Sequence, residues 1–213
     1  YTEAPNEHNV IPGFNTPTQK QEIWCTVMET YCGAEDALPD YRPNPDSRDR
    51  NPGLWEEYPV QCLTGRRIPV YFHSEHRQLP WCREVWPAPR CEINPDDARE
   101  WGIEQGDWVW IESPHGKIRQ TADLFYGVPH GVINCEHTWW FPECPAPEHG
   151  WRYSAVNQLV NNDIDDPHCG SSIVRGYPVK VYKAKEGCPD GIIADASDPR
   201  LKDWLPVYEG RDK

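Results

Sequence analysis

No stretch of the sequence is apolar for long enough to cross a bilayer, and the opening residues lack the basic-then-apolar grain of a leader. Direct membrane insertion is therefore not expected. The polar start at Tyr1 reads as a mature form or as an excised piece of a longer protein. Positive charge is scarce: 21 lysines and arginines face 34 acids, giving a net charge of −13 and a pI near 5.0. Such a surface repels a phosphate backbone along any long footprint, which excludes extended nucleic-acid binding. The nine cysteines are odd in number and no two are separated by only two residues. Neither a zinc ribbon nor a disulfide framework is written there, and most of them read as small, buried, reduced side chains. Internal repeats are missing too; the one sustained period is the two-residue alternation of strands.

Rings and turn residues are abundant instead. Eleven Trp and ten Tyr offset a hydrophobic content of only 38%, because each ring buries more area than an aliphatic side chain. With 23 Pro and 15 Gly, short strands and turns are favoured over long helices. The 213 residues can bury one good core or two small ones. Residues 1–57 read as a connecting arm, with a short strand over Lys20 to Met28 and a Pro-rich linker after Leu38. Residues 58–184 read as a barrel-like domain and 185–213 as a wrapping tail. Inside the barrel segment, Cys91 to Ile93 predicts a strand. Asn94 to Gly102 predicts a short helix, with Asn94 as cap, Pro95 at the first position, Asp96 and Asp97 against the dipole and Gly102 as exit. Trp108 to Glu112 and Lys117 to Leu124 predict a hairpin, Gly131 to about Trp140 and Gly176 to Ala184 two further strands, and Ser154 to Val160 one helical turn.

Chemistry concentrates between Tyr58 and Arg90. A strand is expected to end at Thr64-Gly65, where glycine turns the backbone and allows a close ligand approach. Arg66 and Arg67 follow, then a second apolar run, Ile68 to Phe72, read as a strand that gives way to a loop at His73-Ser74-Glu75-His76-Arg77. From Leu63 to Arg90 five arginines stand against two acids, opposing the charge of the whole chain. Guanidiniums beside a glycine turn suit a compact, multiply charged anion; pairing with the surplus carboxylates is the plain alternative. His73, His76 and Glu75 could do acid–base work in a phosphoesterase, although hydrogen bonding to a ligand or the backbone fits the loose spacing better. Cys135 and His137 are candidate metal ligands on one strand face, with Cys144 and His149 close behind, but no strong zinc spacing is met and Cys135 serves equally as core. Asn162 to Asp166 has the composition of a calcium loop without its glycine or distal glutamate, and reads as a solvated turn. Trp139, Trp140 and Phe141 are consecutive, so at least one ring must find a partner outside the core, and a flat heterocycle is a natural one.

Taken in order, several segments resemble the C-terminal, dinucleotide-binding domain of the molybdenum and tungsten bis-molybdopterin-guanine-dinucleotide oxidoreductases, the dimethyl sulfoxide reductase superfamily. They are Gly13 to Lys20 with Glu22, Leu63-Thr64-Gly65-Arg66, Tyr71 to Gln78, Ile93-Asn94-Pro95, Gly106-Asp107, Gly131-Val132 and Asn157-Gln158-Leu159 with Asp166-Pro167 and Gly170. The resemblance implies a double-psi β-barrel and a cofactor, with molybdenum or tungsten, shared with N-terminal domains of the same enzyme. It places Thr64, Gly65 and Arg66 along the cofactor, His73 and Ser74 on the next loop against it, Asn157 on a heterocycle edge, and Trp140 and Arg77 near the pterin. No iron–sulfur cluster is expected in this chain, no turnover is expected from it alone, and an iron–sulfur electron-transfer subunit is a further partner. Compartment is left open between cytoplasm and twin-arginine export. An adaptor module of double-psi type and a histidine-based phosphoesterase are the competing readings.

Overall fold

The computed structural model describes residues 13–14, 16–66, 68–163, 165–172 and 176–204, without the side chains of Arg66 and of residues 202–204. Arg67 of the basic cluster, Asn15 of the first motif and Ile164 of the acidic turn lie outside the described residues. The chain divides into two compact units, Tyr1–Pro43 and Asn44–Lys213.

In the first unit the expected strand over Lys20 to Met28 is not formed; a helix, α1 (Thr26–Cys32), begins there instead. Glu22 explains the difference. Its carboxylate accepts from the backbone and hydroxyl of Thr18 on one side and of Thr26 on the other, closing a turn and supplying an acceptor to the first helical N–H. The Thr18 and Thr26 hydroxyls hold that carboxyl down at about 2.

In the second unit the Pro-rich run ends in α2 (Pro52–Glu57), with proline at the first helical turn where its missing N–H costs nothing. Six strands follow: β1 (Val60–Arg66), β2 (Arg90–Ile93), β3 (Trp108–Ser113), β4 (Gly116–Leu124), β5 (Val132–Glu136) and β6 (Tyr177–Lys183). They close into a barrel in the order β1-β5-β2-β4-β3-β6. The pairs β1/β5 and β2/β4 are parallel and the remaining pairs antiparallel. This is a double-psi β-barrel, mainly β with short helices. Between β2 and β3 lies α4 (Pro95–Glu100), where Asn94 caps as expected by accepting from Asp96 N at 2.9 Å and Gly102 exits at φ +67°.

Alternation along the strands sends Val60, Cys62, Cys91, Ile93, Val109, Ile111, Ile118, Ile133, Cys135 and Val179 inward. Cys135 is a core residue, its Sγ 3.6 Å from both Cys62 and Cys91 Sγ. Burial among these thiols pushes its own titration well upward. Polar side chains are buried as well, Gln120, Glu136 and Ser154 among them. Gln120 accepts from Glu136 N and donates to Glu136 O and Ser154 O, so a buried amide ties the end of β5 to the segment that carries Asn157.

Two strand expectations require correction. The run Ile68 to Phe72 is a series of tight turns, since Tyr71 N bonds Ile68 O, Glu75 N bonds Phe72 O, and His73 and His76 adopt φ of +47° and +73°. Strand β5 stops at Glu136 rather than near Trp140, because Thr138 at φ +55° breaks the extended backbone. Both segments feed a second apolar cluster outside the barrel: Ile68, Tyr71, Cys82 of α3 (Pro80–Val85), Trp139, Phe141 and Ile192. Arg83 of α3 staples that cluster. It forks onto Glu143 at 2.9 and 3.1 Å and donates to Pro87 O and Ile193 O, fully buried.

Candidate functional site

Parallel pairing puts the C-terminal ends of β1 and β5 side by side, with Arg66 opposite Glu136. The turns after β1 and the loop after β5 flank a small cleft lined by Ile68, Tyr71, Phe72, His73, Arg77, Glu136 and His137. His73 Nδ1 and His137 Nε2 are 3.3 Å apart, one ring nitrogen donating to the other with the direction set by the tautomers. Ser74 O accepts from Trp140 Nε1 at 2.6 Å. That bond holds the half-buried Trp140 outside the core, while Trp139 and Phe141 are buried in it.

Arg77 sets the electrostatics. It is 2% exposed, with its guanidinium 4.2 Å from the Tyr71 ring and 4.7 Å from the Trp139 ring. Nη1 donates to Glu75 O at 2.8 Å, and the buried Nε makes no hydrogen bond. Burial pulls its titration down to about 10, against a smaller opposing pull from neighbours that include Glu136. A cation this dry, braced by ring faces rather than forked onto a carboxylate, is suited to meet an anionic or electron-rich group entering the cleft. Glu136 is held in turn, Oε1 accepting from Trp86 Nε1 at 2.9 Å while Arg90 stacks 3.6 Å over the same indole.

The structure thus brings His73 and Arg77 into one cleft, with Ser74 and Trp140 joined beside it and the Thr64–Arg66 strand end next to Glu136. Gly65 does not turn the chain; it lies inside β1, at a bulge. A Cβ built there meets only Asn134 Oδ1, at 3.9 Å, so its outer side is open. Asn157 is exposed on a 3-10 turn, Val156–Leu159, and is not among the cleft-lining residues. The basic cluster divides by role: Arg83 is an ion-pair staple, Arg90 a ring stack, and Arg77 faces the cleft. His76 contacts Glu75 loosely at 3.8 Å and does not line the cleft. Sequence reasoning missed Glu136 as a wall of this site and Asn134 as its neighbour; the one signal was a polar residue set inside the apolar strand Val-Ile-Asn-Cys-Glu.

A family model, the molydopterin dinucleotide binding domain, matches residues 62–177, from the second barrel residue of β1 through the cleft to the start of β6. The chain belongs to this family. This domain's dopamine dehydroxylase relative from Eggerthella lenta is 55% identical across the whole chain, which spans 22% of that protein. An acetylene hydratase from Syntrophotalea acetylenica is 30% identical over 80% of the chain and 24% of its own length. The solved acetylene hydratase from Pelobacter acetylenicus superposes with a TM-score of 0.72 at 27% identity, covering 81% of this chain and 24% of that one. The molydopterin-binding domain described here thus spans less than a quarter of the length of these relatives, which are enzymes of the dimethyl sulfoxide reductase family.

Proposed function

We propose that this domain closes over a bis-molybdopterin guanine dinucleotide carrying molybdenum or tungsten, held jointly with N-terminal domains of the same polypeptide. The carrying observation is Arg77, buried between two rings with an unbonded Nε beside a cleft that two histidines share. The residues fit the group. A dry cation and ring nitrogens can hold phosphate or pterin oxygens, and the open side of Gly65 admits a ligand to the backbone. Thr64, Gly65 and Arg66 form the strand edge of the site, His73, Ser74 and Arg77 its loop, Trp140 its aromatic rim and Asn157 a further hydrogen-bonding group. When bound, the cofactor supplies the metal at which oxygen and electrons are exchanged. This chain orients it, excludes water and holds protons at the His73–His137 pair.

The whole enzyme is read as a reductive dehydroxylase, on the 55% identity to a dopamine dehydroxylase, with an iron–sulfur electron-transfer subunit as partner. The 213-residue chain alone has no turnover, since the rest of the cofactor's envelope and the metal's protein ligand lie elsewhere. The test is to titrate the protein with extracted pterin dinucleotide. Arg66→Ala and Asn157→Ala each weaken binding on this reading; unchanged affinity in both variants would sink it. Cleavage of a phosphate ester that His73→Ala abolishes would replace it with a hydrolase.

A further inference from the structure

Between Leu63 and Arg66, strand β1 carries one residue more than its partner. Leu63 lies opposite Asn134 and Arg66 opposite Glu136, leaving Thr64 and Gly65 to face Cys135 alone. Such a bulge takes a backbone donor out of the ladder and redirects the strand end that follows, here toward the cleft. The displaced donor is recovered by a side chain. Gly65 N–H donates to Asn134 Oδ1 at 3.1 Å, and Asn134 Nδ2 donates to Glu92 Oε2 at 2.7 Å. Asn134 and Glu92 are cross-strand partners on β5 and β2, so the chain of bonds crosses three strands in one row.

The order of donors and acceptors matters. A carboxylate only accepts, so Glu92 requires the amide –NH₂ to face it and thereby turns the amide oxygen toward Gly65. Neither residue lines the cleft. We propose that Asn134 and Glu92 are positioning residues, a relay that holds the Thr64–Arg66 bulge in the shape that receives the cofactor; this rests on the cofactor reading above. An apolar cross-strand pair would support the sheet as well, but could not capture the Gly65 amide or keep the outer side of the bulge open.

The relay can be tested in the full-length enzyme by measuring guanine nucleotide released and metal retained per folded polypeptide after exhaustive dilution. Asn134→Asp keeps an acceptor for Gly65 but sets two carboxylates against each other, and is expected to lower cofactor retention about tenfold, the effect of losing one well-made hydrogen bond. Adding Glu92→Gln restores a donor opposite that carboxylate with the polarity reversed, and retention is expected to recover to within about threefold of wild type. Should Asn134→Asp fail to fold, Glu92→Gln against Glu92→Leu makes the same comparison, the first keeping an acceptor and the second removing it. A double variant no better than Asn134→Asp, or Glu92→Leu retaining cofactor like wild type, overturns the relay. Wild type that carries no pterin nucleotide overturns the cofactor reading itself, whereas loaded wild type with equally loaded variants overturns the relay alone.

Discussion

Replacing Arg77 by methionine separates a structural guanidinium from one kept for a ligand. Burial takes its titration from 12.5 to about 10, a cost to the cofactor-free fold of ~3 kcal/mol at about 1.4 kcal/mol per tenfold. The Tyr71 and Trp139 faces, at 4.2 and 4.7 Å, return about 1–2 kcal/mol each. The two sums nearly cancel, so Arg77→Met, which fills the same slot without a charge, should move the melting temperature of the cofactor-free protein by no more than about 4 °C. Cofactor affinity should behave differently. Losing a charge-assisted hydrogen bond of about 1.5–3 kcal/mol weakens binding roughly 10- to 100-fold, and Arg77→Lys, with charge but no planar fork, should fall between. Differential scanning calorimetry of the cofactor-free enzyme and metal content of the loaded one provide the two readings. A melting temperature lowered by about 10 °C with cofactor content intact would show that Arg77 is a core strut, and the desolvation reasoning would fail.

Three further expectations follow from the same geometry. Gly65→Ala should leave melting near wild type, because its Cβ enters open space, but lower cofactor content by standing where the ligand approaches the backbone, and Gly65→Trp should leave melting alone and abolish cofactor loading; equal loading of Gly65→Trp and wild type would place the cofactor elsewhere. Glu143→Leu strands the buried Arg83 cation and should cost about 3–5 kcal/mol in chemical denaturation, with Arg83→Met/Glu143→Leu recovering part of that loss; additive single effects would deny the coupling. His130 is held by Asp97 at 2.8 Å, with Asp96 beyond, and the Asp97 bond raises its titration above the ordinary 6.5. A base raised in the folded state contributes stability that is complete below about 6.5 and fades as pH climbs through the folded value, so His130→Gln should flatten the stability profile above about 6.5. An unchanged profile would remove the His130–Asp97 contribution.

The arginine cluster shows how far residue order reaches. Five guanidiniums between Leu63 and Arg90 mark a basic stretch in an acidic chain, but only contacts distant in sequence sort them: Glu143 lies 60 residues from Arg83, and Trp139 a similar distance from Arg77. Helices α1, α2 and α3 were not legible either. Each is only six or seven residues long, too short for an apolar period, and the one local sign, proline at the start of α2 and α3, is shared with ordinary turns.

What the order of residues determined by itself was the set of features written in neighbouring positions: the Asn94 cap and Gly102 exit, the β3–β4 hairpin, the mainly β class and the motif series that marks the family. These rest on backbone preferences and hydrogen bonds between residues a few places apart. Tertiary structure alone decided that β1 and β5 run parallel, that an extra residue at Thr64–Gly65 is braced through Asn134 and Glu92, and that Arg77 is the dry cation facing the cleft. Those outcomes depend on pairing register and on removal from water, and both are properties of the closed barrel and its second cluster rather than of any segment.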